Sequence, residues 1–354
     1  NGASPILNTD DWSVSVNNLT VTNTKCTLYF KQSTIVDKII AQLDKTGACP
    51  IVNGDGTVQV TAAESTNGYL CSAPDDYGTS YYYRGNVTNN YVKFGDYYWR
   101  IIRINGDGSI RLIYDGTSAH ANGEVASNDN YRSIGDSMYN SSLNNDNAYV
   151  GYMYGTPGSD SYEATHANTH DSTIKAYLDN WYKTNIDEKN LSSYISDTLF
   201  CNDRSLSSAN NGTGTGTSET YYRWYLGPWD NPEAQYPRLT CSQQNDQFTV
   251  NDEVTGNGDL TYPIGLITTD EVVLAGGYDT SNYGYYLYTG DYYWTMSPFC
   301  FFRNNASVRA VYDDDRIYFG ILNNSYNARP TINLKADSLK SGSGTMNDPW
   351  RIAD

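Results

Sequence analysis

Residues able to do bond-making chemistry are few and poorly grouped in this chain. Of its three His, His166 and His170 stand four apart, a spacing that would put both on one face of a helix. Their neighbours Thr165, Asn168, Thr169 and Asp171 suit a loop and a helix N-cap, so both read as solvated loop histidines and no metal pair is expected. Asp313-Asp314-Asp315 could supply acid–base carboxylates or calcium ligands. Three consecutive side chains do not face one point, however, and the run reads as solvated charge. The six Cys form no C-x-x-C pair and none has a nearby His, which argues against zinc. Cys49–Cys71 and Cys201–Cys241 are the expected bridges, with Cys300 unpaired. No nucleophile elbow, phosphate loop, dinucleotide fingerprint or H-E-x-x-H motif occurs, and the other carboxylates show no partners. The expectation is a protein that is not an enzyme and carries no cofactor and no metal.

The chemistry that is present is that of contact. From Phe299 to Leu334 there is no Lys, Glu, Gln, Met or Trp, and this window holds four of the eight Phe. The run FCFFRNN has neither the period of a strand nor that of a helix, so its aromatic side chains cannot all be core. Tyr, Phe and Arg bury much area at low entropic cost, and here they lie beside Trp294. The window therefore reads as a binding patch.

Stiffer elements must hold that patch. Tyr97–Ile104 and Ile110–Tyr114 flank Asn105-Gly106-Asp107-Gly108, which predicts a hairpin with a type I′ turn. Thr34 with Asp37 resembles a capping box for a helix whose apolar face runs from Ile35 to Leu43, with Gly47 closing it. A helix starts at Asp171 or Ser172, with Ile174, Tyr177, Leu178, Trp181 and Tyr182 on one face. Thr268 with Glu271 caps another that ends at Gly276-Gly277. Strands are expected at 12–30, Tyr221–Tyr225, Tyr283–Thr289, Tyr292–Ser297 and Thr331–Leu334. Residues 116–170 read as surface loops around a core piece, Tyr149–Tyr154, and 202–220 as a flexible Ser/Asn/Gly/Thr loop. The class is α+β.

The formal net charge of −17 opposes contact with nucleic acid or with anionic membrane surfaces. No apolar run reaches the length of a membrane span. The start, Asn-Gly-Ala-Ser-Pro, has no signal-peptide pattern, and a trimmed or mature extracellular form with an anchor elsewhere is expected. Two regions are expected: 1–64, a small accessory strand and helix region, and 65–354, which carries the patch.

Three segments and a closing run also carry a resemblance. They are Tyr293-Trp294-Thr295-Met296-Ser297-Pro298, the irregular segment with Asn305-Ala306-Ser307-Val308-Arg309, Ala328-Arg329-Pro330-Thr331-Ile332-Asn333-Leu334-Lys335, and Gly342-Ser343-Gly344-Thr345. Together they resemble the C-terminal end of variable proteins of diversity-generating retroelements, of the gut Firmicutes or phage type. The similarity is loose over 65–354 and most specific over 292–335. It implies a C-type lectin fold of the formylglycine-generating-enzyme type with long loop insertions. It also implies a surface whose codons are rewritten at adenines. Substituting both adenines of an AAC codon can produce neither Lys, Glu, Gln, Met nor Trp, the types missing from the window. The variable segment implied is about 299–326. Its ligand-binding positions would be Cys300, Phe301, Phe302, Arg303, Ala310, Tyr312, Asp313, Arg316, Tyr318, Phe319, Gly320, Ile321 and Tyr326, beside Trp294, with Val308, Val311 and Leu322 as scaffold. The function implied is cell-surface adhesion to a protein or glycan on another cell, phage or host surface, with membrane contact only through an anchor outside the chain. A glycan-binding adhesin of fixed specificity is the alternative, and an oxidase of the formylglycine-generating type a more distant one. The sequence lacks the second C-terminal Cys that such an oxidase uses and the Glu-Pro-Asn or Trp-Asn-Asp signatures of calcium-dependent lectins.

Overall fold

The computed structural model describes residues 5–8, 13–16, 33–126, 131–141, 144–208, 212–223, 236–278 and 280–352. Two compact units emerge, Asn1–Ser33 and Thr34–Asp354. In the first, β1 (Pro5–Asn8) pairs antiparallel with β2 (Ser13–Val16). The strand expected from Leu19 to Phe30, and Cys26 with it, lies outside the described residues.

The second unit is α+β, mostly sheet with few helices. Its first helix, α1 (Ile35–Ile40), has the expected capping box: the Thr34 hydroxyl accepts from Asp37 N, and the Asp37 carboxylate accepts from Thr34 N. The helix stops well short of Gly47, because Leu43 leaves the helical path to form a parallel bridge with Leu70. Ile35, Val36 and Ile39 belong to the core of this unit.

The main sheet has the order β14–β7–β6–β4–β3, where β3 is Gly68–Asp75, β4 Gly78–Gly85, β6 Tyr97–Ile104, β7 Ile110–Gly116 and β14 Thr331–Leu334; β5 (Tyr91–Phe94) joins β6 to β15 (Trp350–Arg351). The β6–β7 hairpin forms as the sequence predicts, but its turn differs. The Asn105 N–H donates to the Ser109 carbonyl, and positive φ falls at Gly108 (+85°) and not at Asn105 or Gly106. Asp107 explains the change, since its carboxylate accepts from both the N–H and the hydroxyl of Ser109 and tightens a longer loop.

The second sheet has the order β12–β11–β10–β13–β8, with β9 on the far part of β10. These strands are β8 Asp136–Met138, β9 Thr220–Tyr221, β10 Tyr293–Phe302, β11 Asn305–Val311, β12 Ile317–Ile321 and β13 Ser325–Asn327. Pro298 lies inside β10, where the register with β11 shifts on both sides of it, so the lost donor falls at an irregularity. Helix α2 (Thr173–Tyr182) starts at Ser172, and α3 (Thr269–Ala275) carries the capping box of Thr268 and Glu271 and ends at Gly276. Among the described residues the disulfides are Cys49–Cys71 and Cys201–Cys241, and Cys300 is free and buried.

Several expectations are corrected. Tyr283–Thr289 is not a strand. Tyr285, Tyr286 and Leu287 are consecutive and fully buried while Tyr283 is exposed, and the carbonyls are held by arginines: Arg132 donates to those of Tyr286 and Tyr288, and Arg329 to that of Leu287. His166 is not solvated; it is buried, with a ring nitrogen 3.0 Å from the Gly214 carbonyl. His170 is exposed and stacked on Tyr154. The described part of the Ser/Asn/Gly/Thr loop is tied down by Asn147, whose side-chain amide donates to the carbonyls of Thr215, Gly216 and Ser218. Trp224 and Tyr225 lie outside the described residues.

Candidate ligand-binding face

The face is built from the β10–β11 hairpin and the strand beside it. Phe302 and Asn305 pair across a two-residue turn in which Arg303 and Asn304 have φ of +49° and +60°. That is the combination a type I′ turn needs, here met without glycine. Asn tolerates the left-handed region, whereas Arg pays a steric cost there. The Arg303 N–H also donates to the Glu219 carboxylate at 3.3 Å.

Register then decides which side chains share a side. Trp294 stands opposite Ala310, Ala310 opposite Tyr318, and Val308 opposite Gly320. Because side chains alternate along a strand, these form one face, while Arg309, Phe319 and Ile321 point to the other. Gly320 is where the first face closes. A Cβ on it would lie 2.3 Å from the Trp294 ring and 2.7 Å from that of Tyr326. The Trp294 indole N–H is fixed by the Ser137 carbonyl at 2.8 Å, and the ring meets Tyr139 edge-on.

Around this closure the exposed and half-buried rings run together. Tyr292, Tyr312 and Tyr326 contact one another with centroids 4.7–6.3 Å apart, and Tyr318 stands 5.4 Å from Tyr312. Tyr318 stacks on Phe319 at 4.7 Å, Phe319 on Phe299 at 5.3 Å, and Tyr221 meets Phe299 and Phe302. The Arg309 guanidinium lies over Phe299 at 3.9 Å, and that of Arg303 over Phe302 at 5.1 Å. The result is a continuous aromatic belt with Asp313, Arg316 and Arg303 at its surface. Arg316 is bound to Asp314 at 2.7 Å.

The belt unites most of the residues expected to bind. Phe302, Arg303, Asp313, Arg316 and Tyr318 are exposed, and Tyr312, Phe319, Ile321 and Tyr326 are half-buried. Trp294, Cys300, Phe301, Ala310 and Gly320 are buried and present no surface to a ligand. Phe301 faces inward because the bulge at Pro298 resets the alternation of β10. Burial pushes the Cys300 thiol up to about 11, which makes it a poor nucleophile at neutral pH. Sequence reasoning missed Tyr221 and Tyr292. Tyr221 reaches the belt only because β9 pairs with Cys300 and Phe301, a distant pairing with no local signal.

Asp315 corrects the reading of the acidic run. Asp313 is exposed and Asp314 partly so, but Asp315 is wholly buried, with φ of +70°. The Tyr285 hydroxyl donates to one of its oxygens at 3.0 Å, and the other has no partner among the described residues. Burial therefore raises its pKa well above the usual carboxylate range. Asp115 shows the opposite balance. It is equally buried, and desolvation is the largest single effect, but Arg132 at 2.7 Å together with His120, Arg100 and Arg329 outweighs it, so its pKa is depressed.

A separate charged cleft of about 30 Å³, room for one water, is lined by Arg103, Arg111, Arg223, Asp270 and Glu271. Its charges are spent on each other: Glu271 binds Arg103 and Arg111 at 3.1 and 2.6 Å, and Arg223 binds Asp270 at 2.7 Å. Among the described residues no cluster of His, Cys, Asp and Glu could hold a metal ion, and no helix is long and apolar enough to cross a membrane. No family model, curated protein or solved structure matches the chain.

Proposed function

We propose that the chain is a non-enzymatic ligand-binding protein displayed at the cell surface, with a C-type lectin fold of the formylglycine-generating-enzyme type and a face diversified by a retroelement. One observation carries the reading. The window that lacks Lys, Glu, Gln, Met and Trp supplies Phe302, Arg303, Asp313, Arg316, Tyr318 and Phe319, which lie along the aromatic belt from the β10–β11 turn over the edge strand β12 to the β11–β12 turn. Such a surface suits recognition, since rigid rings give contact area and the charged groups give orientation. The ligand is a protein or glycan on another cell, phage or host surface, met in an extracellular setting through an anchor outside this chain.

The test is to sequence many copies of the gene and its neighbourhood. Differences confined to the exposed positions of 299–326, matching adenines of a nearby template repeat beside a reverse transcriptase, are the expected result. Differences spread evenly along the chain would overturn it. A second reading, a glycan-binding adhesin of fixed specificity, is favoured by the tight closure at Gly320 and the burial of Cys300, Phe301 and Ala310, which restrict what the window can accept. It predicts identical windows in all copies.

A further inference from the structure

Away from the aromatic belt lies a cleft of about 410 Å³, formed where the segment after α1 meets the start of β3 and the loop at 86–89. This is the volume of a small-molecule site, roughly 300–1,000 Å³, whereas the charged cleft described above holds about one water. Its walls are fixed before any ligand arrives. The Cys49–Cys71 disulfide, the Leu43–Leu70 bridge and the Asp44 N–H on the Leu70 carbonyl at 2.9 Å bind the first wall to β3. The second is held by the Asn86 N–H on the Asn67 carbonyl, and Gly68 is what lets it approach: a Cβ there would lie 2.7 Å from the Asn86 carbonyl oxygen.

The lining is polar, and hydrogen bonds from Thr46 hold its Asp44 carboxyl down at about 2, so it is ionised at neutral pH. Asp44 is its ionisable acid, and both carboxylate oxygens are already occupied, one by the N–H and hydroxyl of Thr46 and the other by the N–H groups of Ala48 and Cys49. Asn89 donates to Gln42, and Asn86 accepts from Asn122. Among the described residues this leaves the Asn86 amide nitrogen, the Asn89 amide oxygen and the hydroxyls of Thr88 and Tyr69 without protein partners. Tyr83 also lines the cleft; it is 2% exposed, and its buried hydroxyl has no partner.

We propose that this cleft is a second binding site, for a neutral saccharide. Adjacent donors and acceptors match vicinal hydroxyls, and the half-buried Tyr69 ring offers a face for the apolar side of a sugar. An anion would require a cation that the lining does not supply, and an amine would require a carboxylate that is not already saturated.

The experiment is a titration of the full oxidised chain, followed by amide chemical shifts and calorimetry. Its probes are the methyl glycosides of glucose, galactose, mannose and N-acetylglucosamine, with maltose, lactose, spermine and inorganic phosphate alongside. The expected result is millimolar binding of at least one neutral sugar, with shifts centred on Gly68, Asn86 and Asn89. Asn86→Ala and Thr88→Ala, both at exposed positions, should each weaken it about fivefold, the loss of one hydrogen bond, without lowering the melting temperature. Tyr318→Ala on the belt should leave it unchanged. Silence from every sugar, binding that survives both cleft variants, preference for spermine or phosphate, or loss on Tyr318→Ala would each overturn the proposal. None of these bears on whether the belt is diversified, which gene sequencing decides separately.

Discussion

Gly320→Ala is the sharpest probe of the binding face. The added methyl would sit 2.3 Å from the Trp294 ring and 2.7 Å from that of Tyr326. Carbon atoms pack at about 3.5–4.0 Å, so the indole must retreat by more than about 1 Å. It has little freedom to do so, being buried, bonded to the Ser137 carbonyl and packed against Tyr139. Overpacking of this kind costs about 1–3 kcal/mol. Restricting the unfolded chain returns about 0.4–1 kcal/mol, because Gly320 has no positive φ that alanine would resist. The expected net loss is about 1–2 kcal/mol in denaturant unfolding, with a changed Trp fluorescence. Tyr318→Ala, half-exposed on the same strand, should cost under about 1 kcal/mol. If Gly320→Ala is as stable as the parent with unchanged fluorescence, the closure of Trp294 over Gly320 is wrong.

Three further outcomes follow from buried charge. The raised pKa of Asp315 means that the folded state holds a proton which the unfolded state releases near pH 4, so stability falls as pH rises from there towards the folded value; Asp315→Asn should flatten that decline while keeping the acceptor for Tyr285. For His166, burial lowers the folded pKa to about 3, so stability is full above the unfolded value near 6.5 and is lost as pH falls towards 3; urea midpoints of His166→Gln should vary less over that window. Asp115→Asn should cost about 3–5 kcal/mol by chemical denaturation, because it removes the charge partner of buried Arg132; a loss below about 1 kcal/mol would show that the pair carries little.

What could be read from the chain was what neighbours in sequence decide. The capping boxes at Thr34 and Thr268, the start of α2 at Ser172 and the β6–β7 hairpin depend on a few adjacent residues, and they appear where expected. Errors arose where a distant group intervened. Tyr283–Thr289 has the Tyr-rich composition of a strand, yet Arg132 and Arg329 take its carbonyls and no ladder forms. Asp315 belongs to an acidic run, yet a left-handed backbone turns it inward towards Tyr285. On the candidate face, composition pointed to the window but could not separate Phe302 from Phe301, since their faces depend on a bulge at Pro298.

The arginine clamp on residues 286–288 has a consequence for inheritance. Arg132 and Arg329 anchor the segment that delivers the chain into β10, and both are buried together with Asp115. Much of what keeps the molecule folded is thus stored in residues that face no partner. A lineage could exchange Phe302, Arg303 or Tyr318 and change what it grips while the anchorage passes on intact. Loss of Asp115 would instead remove every version of the grip at once, so mutational tolerance in this chain should divide by depth and not by position along it.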